Sequence, residues 1–154
     1  MKVEFVNPFI QAASEVLDAE LGAESQGGNL RLHKSAFTTD EVTALVGVTG
    51  TLSGLVLYSM SQATALGIVS KMIGHDFDEF DALAQSGIGE LGNVITGRAG
   101  ILLSEAGYPS NITPPALVIG EGTMITTLDL VRLVMPLETD VGPLEIHVAL
   151  KAAA

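Results

Sequence analysis

The sequence predicts an α+β fold, in which duplicated α–β–β–β halves form one mainly antiparallel sheet with two long helices packed on one face. The order of the hydrophobic patterns gives this prediction: a helix precedes three strands, a short helix intervenes, and a long helix precedes three more strands. A weak internal repeat supports the duplication. With 154 residues, of which 47% are apolar and 16% charged, the chain can bury the core of a single domain.

The first half is expected to open with an amphipathic helix over 8–21, because apolar side chains recur there every three or four residues. Asn7 and Pro8 would form its N-cap and first turn, and Gly22 would end it. After a loop at 22–29, strands are predicted near 30–37, 42–50 and 52–60. The strand at 42–50 is apolar on nearly both faces, which is typical of a central strand.

The second half is expected to follow a short helix that Ser61 caps and Gly74 ends, and an acidic connector at 75–81. A long helix is predicted over about 80–107. The last three strands are predicted near 115–121, 124–135 and 144–151. In the final strand apolar and polar residues alternate, which is typical of a half-exposed antiparallel strand.

Two segments carry the internal repeat, at an offset of about 86 residues. The first reads NPFIQAASEVLDAELG from Asn7, and the second reads NVITGRAGILLSEAG from Asn93. Each follows a Glu-x-x and ends on a glycine about four helical turns later. This similarity indicates an internal duplication, with pseudo-repeats at about 3–60 and 80–151 inside one domain, 1–154.

Composition excludes several classes of function. Seven basic and eighteen acidic residues give a net charge of −11, which would repel nucleic acid and an anionic membrane surface. The sequence has no cysteine, which excludes thiol nucleophiles and thiolate metal sites, and its three histidines are too far apart to indicate a metal site. It has no signal-like segment and no apolar run of about 18 residues, so we expect a cytoplasmic protein.

The long helix at 80–107 has an unusual composition. Its middle contains glycines at 87, 89, 92, 97 and 100, and each costs about 0.8–1 kcal/mol of helix propensity relative to alanine. At about 100° per residue, one stripe about 80° wide contains Ser86, Glu90, Asn93, Gly97 and Gly100. This stripe is consistent with a solvated polar face on a tightly packed helix, or with a pre-formed docking surface that carries two short polar side chains.

At these residues the sequence resembles the CheC/CheX family of chemotaxis phosphatases. The family pattern is Asp or Ser, three residues, Glu, two residues, Asn, and a Pro some twenty residues later. It reads here as Ser86-x-x-x-Glu90-x-x-Asn93, and Pro115 follows Asn93 by twenty-two residues. The resemblance extends over essentially the whole chain.

A second Glu-x-x-Asn occurs at Glu4 and Asn7, but it departs from the family pattern. Pro8 directly follows the Asn, and Asn29 stands where the pattern has its later Pro. We interpret this second copy as a degenerate remnant of the duplication. CheC-type members carry two complete motifs and CheX-type members carry one, so the chain resembles CheX more closely.

The resemblance implies a phosphatase that acts on the phospho-aspartate of a CheY-like receiver domain in chemotaxis or another two-component circuit. It implies that Asn93 orients the attacking water and that Glu90 forms a salt bridge with the receiver's active-site lysine. The residues expected to lie against the partner are Ser86, Gly89, Gly97, Gly100 and Pro115. The receiver would supply Mg²⁺, so we expect no cofactor or metal of the chain's own.

Two alternatives to this function stay open. The same surface could bind a receiver domain or a flagellar-switch component without catalysis, because related folds occur in switch proteins. The glycine-rich helix could also simply pack closely in a structural α+β domain. CheX-type members further resemble homodimers that join through their sheets, and the segment 144–151 or another edge would serve that contact.

Overall fold

The computed structural model describes residues 2–34, 36–128 and 130–153, and three helices lie within this part of the chain. They are α1 (Val3–Leu21), α2 (Gln62–Ile73) and α3 (Ala82–Glu105). The strands of the first half are β1 (Gln26–Gly27), β2 (Arg31–His33), β3 (Phe37–Thr38), β4 (Val42–Gly50) and β5 (Leu52–Met60). Those of the second half are β6 (Ser110–Ile112), β7 (Ala116–Ile119), β8 (Met124–Ile125), β9 (Arg132–Thr139) and β10 (Gly142–Ala152).

The long strands form one antiparallel sheet with the order β1-β9-β10-β5-β4-β6. β2 also pairs with β9, and β7 pairs with β4, so each edge of the sheet is built from two short strands. β3 and β8 form a separate two-stranded sheet. The predicted α+β class with a mainly antiparallel sheet is confirmed, and β4 has the interior position that its apolar faces indicated.

The hydrophobic core lies between the helices and one face of the sheet. Every second side chain of β4 and β10 enters it, namely Val42, Ala44, Val46, Val48, Leu144, Ile146, Val148 and Leu150. The helices contribute Phe9, Leu17, Ile68, Ile88 and Leu91, among others. Because side chains alternate along a strand, these residues lie on the same face of the sheet, and α3 packs on that face against β4.

Helix α1 begins at Val3, so the prediction that Asn7 and Pro8 start a helix at residue 8 was wrong. Lys2 occupies the N-cap position, and Pro8 lies inside the helix. Pro8 has no backbone N–H, so the helix loses one of its backbone hydrogen bonds. Burial of Phe5 and Val6 in the core outweighs that loss and extends the helix toward the N-terminus. The predicted end is confirmed, because Gly22 caps α1 in the left-handed conformation.

Two predicted strands are each divided in the structure. The segment 30–37 contains β2 and β3, which belong to different sheets, and 124–135 contains β8 and the start of β9. Ser35 and Asp129, which these predictions included, lie outside the described residues. β3 pairs with β8, with Phe37 opposite Ile125, so only these parts of the two segments leave the main sheet to form a small second layer, while β2 and β9 stay in it. The short strands β1 and β6 were not predicted.

Strand β10 is interior, between β9 and β5, and is buried on both faces. The prediction of a half-exposed strand at 144–151 that could form a dimer edge was therefore wrong. Its second face is covered because the Phe37 ring of the small sheet lies over the His147 ring, with centroids 4.3 Å apart. His147 is consequently only 3% exposed.

Helix α2 agrees with its predicted capping. The Ser61 side chain accepts a hydrogen bond from the Thr64 backbone N–H at 3.1 Å, and Gly74 ends the helix in the left-handed conformation. Across the described ranges, no helix is both long enough and apolar enough to cross a bilayer.

Candidate functional site on helix α3

Helix α3 is fixed at its start by a side-chain cap and along its length by the core. The Asp81 carboxylate accepts a hydrogen bond from the Ala84 backbone N–H at 2.9 Å. One side of the helix is buried through Ile88, Leu91, Ile95, Ala99 and Leu103. The opposite side faces solvent, so the helix presents a fixed outer surface.

The five glycines of α3 divide into two groups according to what lies next to them. A Cβ on Gly87 would stand 2.8 Å from Val69 Cγ1 of α2, and one on Gly92 would stand 3.4 Å from the Tyr58 ring of β5. A Cβ on Gly89 or Gly97 would meet nothing closer than 3.7 Å, and one on Gly100 would have open space. Packing therefore accounts for glycine at position 87, and at position 92 in part, but not at the other three.

The predicted polar residues lie on the outer surface of α3. Ser86 and Glu90 are exposed, and Asn93 is half-buried one turn further along the helix. Within the described residues, the side chains of Glu90 and Asn93 make no hydrogen bond or ion pair. Both groups are therefore available to an incoming molecule. Gly97 and Gly100 continue the same side of the helix and are partly exposed.

Pro115 lies beside this surface, as its place in the motif requires. Its Cγ atom stands 3.7 Å from the Cβ position of Gly89, and together with Ser86 and Glu90 it lines an open groove of about 490 Å³. The segment before it is held to β4, because the Thr113 backbone N–H donates to the Gly47 carbonyl at 2.9 Å. Pairing of β7 with β4 holds the segment that follows. The groove therefore has one wall on α3 and one on the sheet edge.

A buried chain of hydroxyl groups lies beneath the site. The Thr96 hydroxyl donates to the Gly92 carbonyl oxygen at 2.6 Å, and the Tyr58 hydroxyl lies 2.7 Å from Thr96 Oγ1. Threonine has one hydroxyl hydrogen, so Tyr58 must be the donor to Thr96. Burial raises the pKa of Tyr58, and its bond to Thr96 acts in the opposite direction. Tyr58 therefore stays protonated and able to donate at neutral pH.

An apolar row runs beside the polar surface and was missed by sequence analysis. Leu83, Val94 and Ile101 are 52%, 40% and 53% exposed. At about 100° per residue they lie within about 20° of one another around α3, on the Glu90 side. The spacing of eleven and then seven residues is the signal that would have shown the row.

The second Glu-x-x-Asn lies on α1, and its carboxylate is already engaged. Glu4 accepts a hydrogen bond from the Tyr108 hydroxyl at 3.1 Å, and Lys2 Nζ lies 3.8 Å from the same carboxylate. The bond to Glu4 raises the pKa of Tyr108. Asn7 is exposed. Glu4 thus differs from Glu90, whose carboxylate contacts no other described polar group.

Comparison with known proteins relates this arrangement to one family. A family model described as chemotaxis phosphatase CheX matches residues 42–138. The CheY-P phosphatase CheX of Thermotoga maritima is 33% identical over 132 residues, which is 85% of each chain. The matched segment 42–138 contains all of α3 and also Pro115.

Two solved structures are similar over nearly their whole length. A CheC-like superfamily protein from Shewanella sp. PV-4 has a TM-score of 0.89 and 28% identity, over 99% of this chain and 100% of that chain. A chain of the CheX–CheY–BeF3–Mg²⁺ complex from Borrelia burgdorferi has a TM-score of 0.82 and 29% identity, over 97% of this chain and 99% of that chain.

Proposed function

This chain belongs to the CheX family of chemotaxis phosphatases, and on that premise we propose that it dephosphorylates the phospho-aspartate of a CheY-like receiver domain. The Thermotoga relative is named a CheY-P phosphatase, and the Borrelia relative forms a complex with CheY. The observation that carries the proposal is the pair Glu90 and Asn93, which lie on the outer surface of α3 without a competing partner among the described residues.

The reaction requires little from the phosphatase itself. An oxygen of water bonds to phosphorus while the bond from phosphorus to the aspartate oxygen breaks, and the carboxylate leaves with the electron pair. The proton of the water passes to the released phosphate or to solvent. In the proposed complex, the receiver contributes Mg²⁺ and a lysine that neutralise the phosphoryl oxygens. What the receiver lacks is a group that holds the water in line with the breaking bond.

Asn93 is suited to hold that water. Its carboxamide both donates and accepts hydrogen bonds, so it fixes the orientation of a water without adding negative charge beside the phosphoryl group. Its half-buried position limits its motion, while its side chain has no other hydrogen bond within the described part of the chain. Positioning of this kind is worth several kcal/mol in favourable cases, so a strong base is not needed.

Glu90 is suited to anchor the receiver. It is exposed and lies three residues before Asn93, so both side chains project from the same side of α3. A salt bridge from Glu90 to the receiver's lysine would set the depth at which Asn93 enters the receiver's pocket. Gly97 and Gly100 have no side chain on this surface, and Gly89 lies beside Pro115. Receiver loops can therefore approach the helix closely. Ser86 borders the same groove.

The test is the decay of a phosphorylated receiver. CheY from Thermotoga maritima and from Borrelia burgdorferi is phosphorylated with acetyl phosphate, and release of inorganic phosphate is followed with and without the chain. We expect faster release from the receiver and no activity on small phosphate esters such as p-nitrophenyl phosphate. Binding of phosphorylated CheY without faster release would instead indicate an interaction module that lacks catalysis.

We also propose that the chain forms a homodimer through the sheet edge at β1 and β2, and that it acts in the cytoplasm, where its receiver substrate resides. The opposite edge carries β6 and β7 beside α3, so pairing there would cover the groove at Pro115. At the β2 edge Leu30 and Leu32 are exposed. Leu32→Glu should therefore convert a dimer into a monomer in light scattering, whereas a monomeric wild type would contradict the proposal.

A further inference from the structure

We infer that Tyr58 and Thr96 are positioning residues that hold Asn93 at its working position, an inference that rests on the proposed phosphatase function. The Gly92 carbonyl that accepts the Thr96 hydroxyl belongs to the same peptide unit as the Asn93 backbone nitrogen. The chain from Tyr58 through Thr96 to Gly92 therefore connects strand β5 to the peptide group immediately before Asn93.

The backbone of α3 lies close to the sheet beneath Asn93, where a Cβ on Gly92 would stand 3.4 Å from the Tyr58 ring and 3.5 Å from Ala44 Cβ. The neighbouring side chains of Leu91 and Ile95 are buried in the core. Interdigitated side chains normally fix where a helix lies on a sheet, and small deviations are resisted because the core is close-packed. The two hydroxyl groups add a directional contact to this packing. Hydrogen bonds of 2.6 and 2.7 Å constrain both the distance between β5 and α3 and the rotation of α3.

Stability alone does not account for this pair. Both hydroxyl groups are fully buried, since Tyr58 is 1% and Thr96 0% exposed. Replacing both members of a buried hydrogen-bonded pair by apolar groups of similar shape is often nearly neutral for folding, whereas removing one member leaves the other unsatisfied. A Phe and Val pair would therefore fill the same space. The hydroxyl groups also fix the direction of the contact between β5 and α3. Direction matters because a misplacement of about 1 Å at a reacting group can cost about 100-fold in rate.

The test separates position from stability with four variants: Tyr58→Phe, Thr96→Val, Thr96→Ser and the double variant Tyr58→Phe/Thr96→Val. For each, kcat and KM on phosphorylated CheY are measured together with Tm, at a temperature well below every Tm. We expect Thr96→Val and the double variant to lose at least about tenfold in kcat with little change in KM. We expect Thr96→Ser, which keeps the hydroxyl, to retain most of the activity.

The double variant is decisive. We expect the double variant to recover much of the Tm that Thr96→Val loses, because replacing Tyr58 removes the hydroxyl that Thr96→Val leaves buried and unsatisfied. We expect its kcat to stay low. A kcat that returns with the Tm, or Tyr58→Phe and Thr96→Val variants that both turn over like wild type, would overturn the inference. If wild type itself fails to accelerate phosphate release, the proposed function fails first, so the two failures are distinguishable.

Discussion

Gly87 of α3 faces Val69 of α2 so closely that a Cβ on Gly87 would stand 2.8 Å from Val69 Cγ1. Gly97, ten residues later on the same helix, would carry a Cβ 3.9 Å from its nearest neighbour, Ile112. One glycine is therefore required by packing between helices, and the other is not. This contrast separates the structural from the proposed functional glycines.

Gly97→Ala should stabilise the fold and weaken docking. Alanine is favoured over glycine in a helix interior by about 0.5–1 kcal/mol, and the added methyl group meets no obstacle within the chain. The same methyl group would project toward the receiver. Thermal unfolding and affinity for CheY loaded with BeF3 and Mg²⁺ measure the two effects. Gly87→Ala is the control, expected to lose about 1–3 kcal/mol of stability. A more stable Gly97→Ala with unchanged affinity would show that the glycine does not serve docking.

Glu90→Gln should weaken receiver binding by about 10- to 100-fold, because a hydrogen bond to a charged partner is worth about 1.5–3 kcal/mol. The loss should shrink as salt is raised from about 50 to 300 mM, since screening weakens the wild-type ion pair. Isothermal titration with BeF3-loaded CheY measures both. Glu105→Gln, an exposed carboxylate at the end of the same helix, is the control and should bind normally. Equal salt dependence of wild type and Glu90→Gln would argue against the salt bridge.

The apolar row on α3 is expected to contribute to docking. Val94→Ser and Ile101→Ser should each reduce receiver affinity by about 3- to 10-fold through lost apolar contact, with kcat at saturation retained. Their effect on stability should stay within about 0.5 kcal/mol, because both residues lie on the solvent side of α3, where Val94 is 40% and Ile101 53% exposed. Met124→Ser, on the small sheet over the other face, is the matched control. If all three variants bind alike, the row has no role in docking.

Stability should fall in acid partly because of Glu145. Hydrogen bonds from His147 and then from Arg31 lower the pKa of Glu145 from 4.5 to about 2. A lowered folded-state pKa stabilises the fold above pH 4.5, and that contribution is lost as the pH falls toward about 2. Glu145→Gln should therefore cost about 1 kcal/mol at pH 7, allowing for screening of a partly exposed group, and little near pH 2. Urea unfolding at both pH values tests this, with Glu121→Gln as control.

Much of the fold could be predicted from local patterns. The two apolar faces of 42–50, the capping by Ser61 and the helix-ending glycines at 22 and 74 are properties of short segments, and each reappears in the structure. The departures have non-local causes. The pairing of Phe37 with Ile125 takes β3 and β8 out of the main sheet and places the Phe37 ring against His147. The residues next to Phe37 and Ile125 in the sequence do not indicate this pairing.

The candidate site shows the same division. The spacing of Glu90 and Asn93 was sufficient to place both on one side of a helix, because helical geometry depends on sequence separation alone. The different surroundings of Gly87 and Gly97 depend on Val69 and Ile112, which lie on other elements. The hydroxyl chain under Asn93 likewise joins β5 to α3, and no local pattern indicates that Tyr58 and Thr96 meet.

The role of Asn93 in orienting the water is tested most directly by the rate of phosphate release from phosphorylated CheY with wild type and with Asn93→Ala. We expect Asn93→Ala to lower kcat by about 100-fold, because the water loses its orientation, while affinity for BeF3-loaded CheY stays within about threefold. Equal rates of phosphate release for wild type and Asn93→Ala would contradict this role.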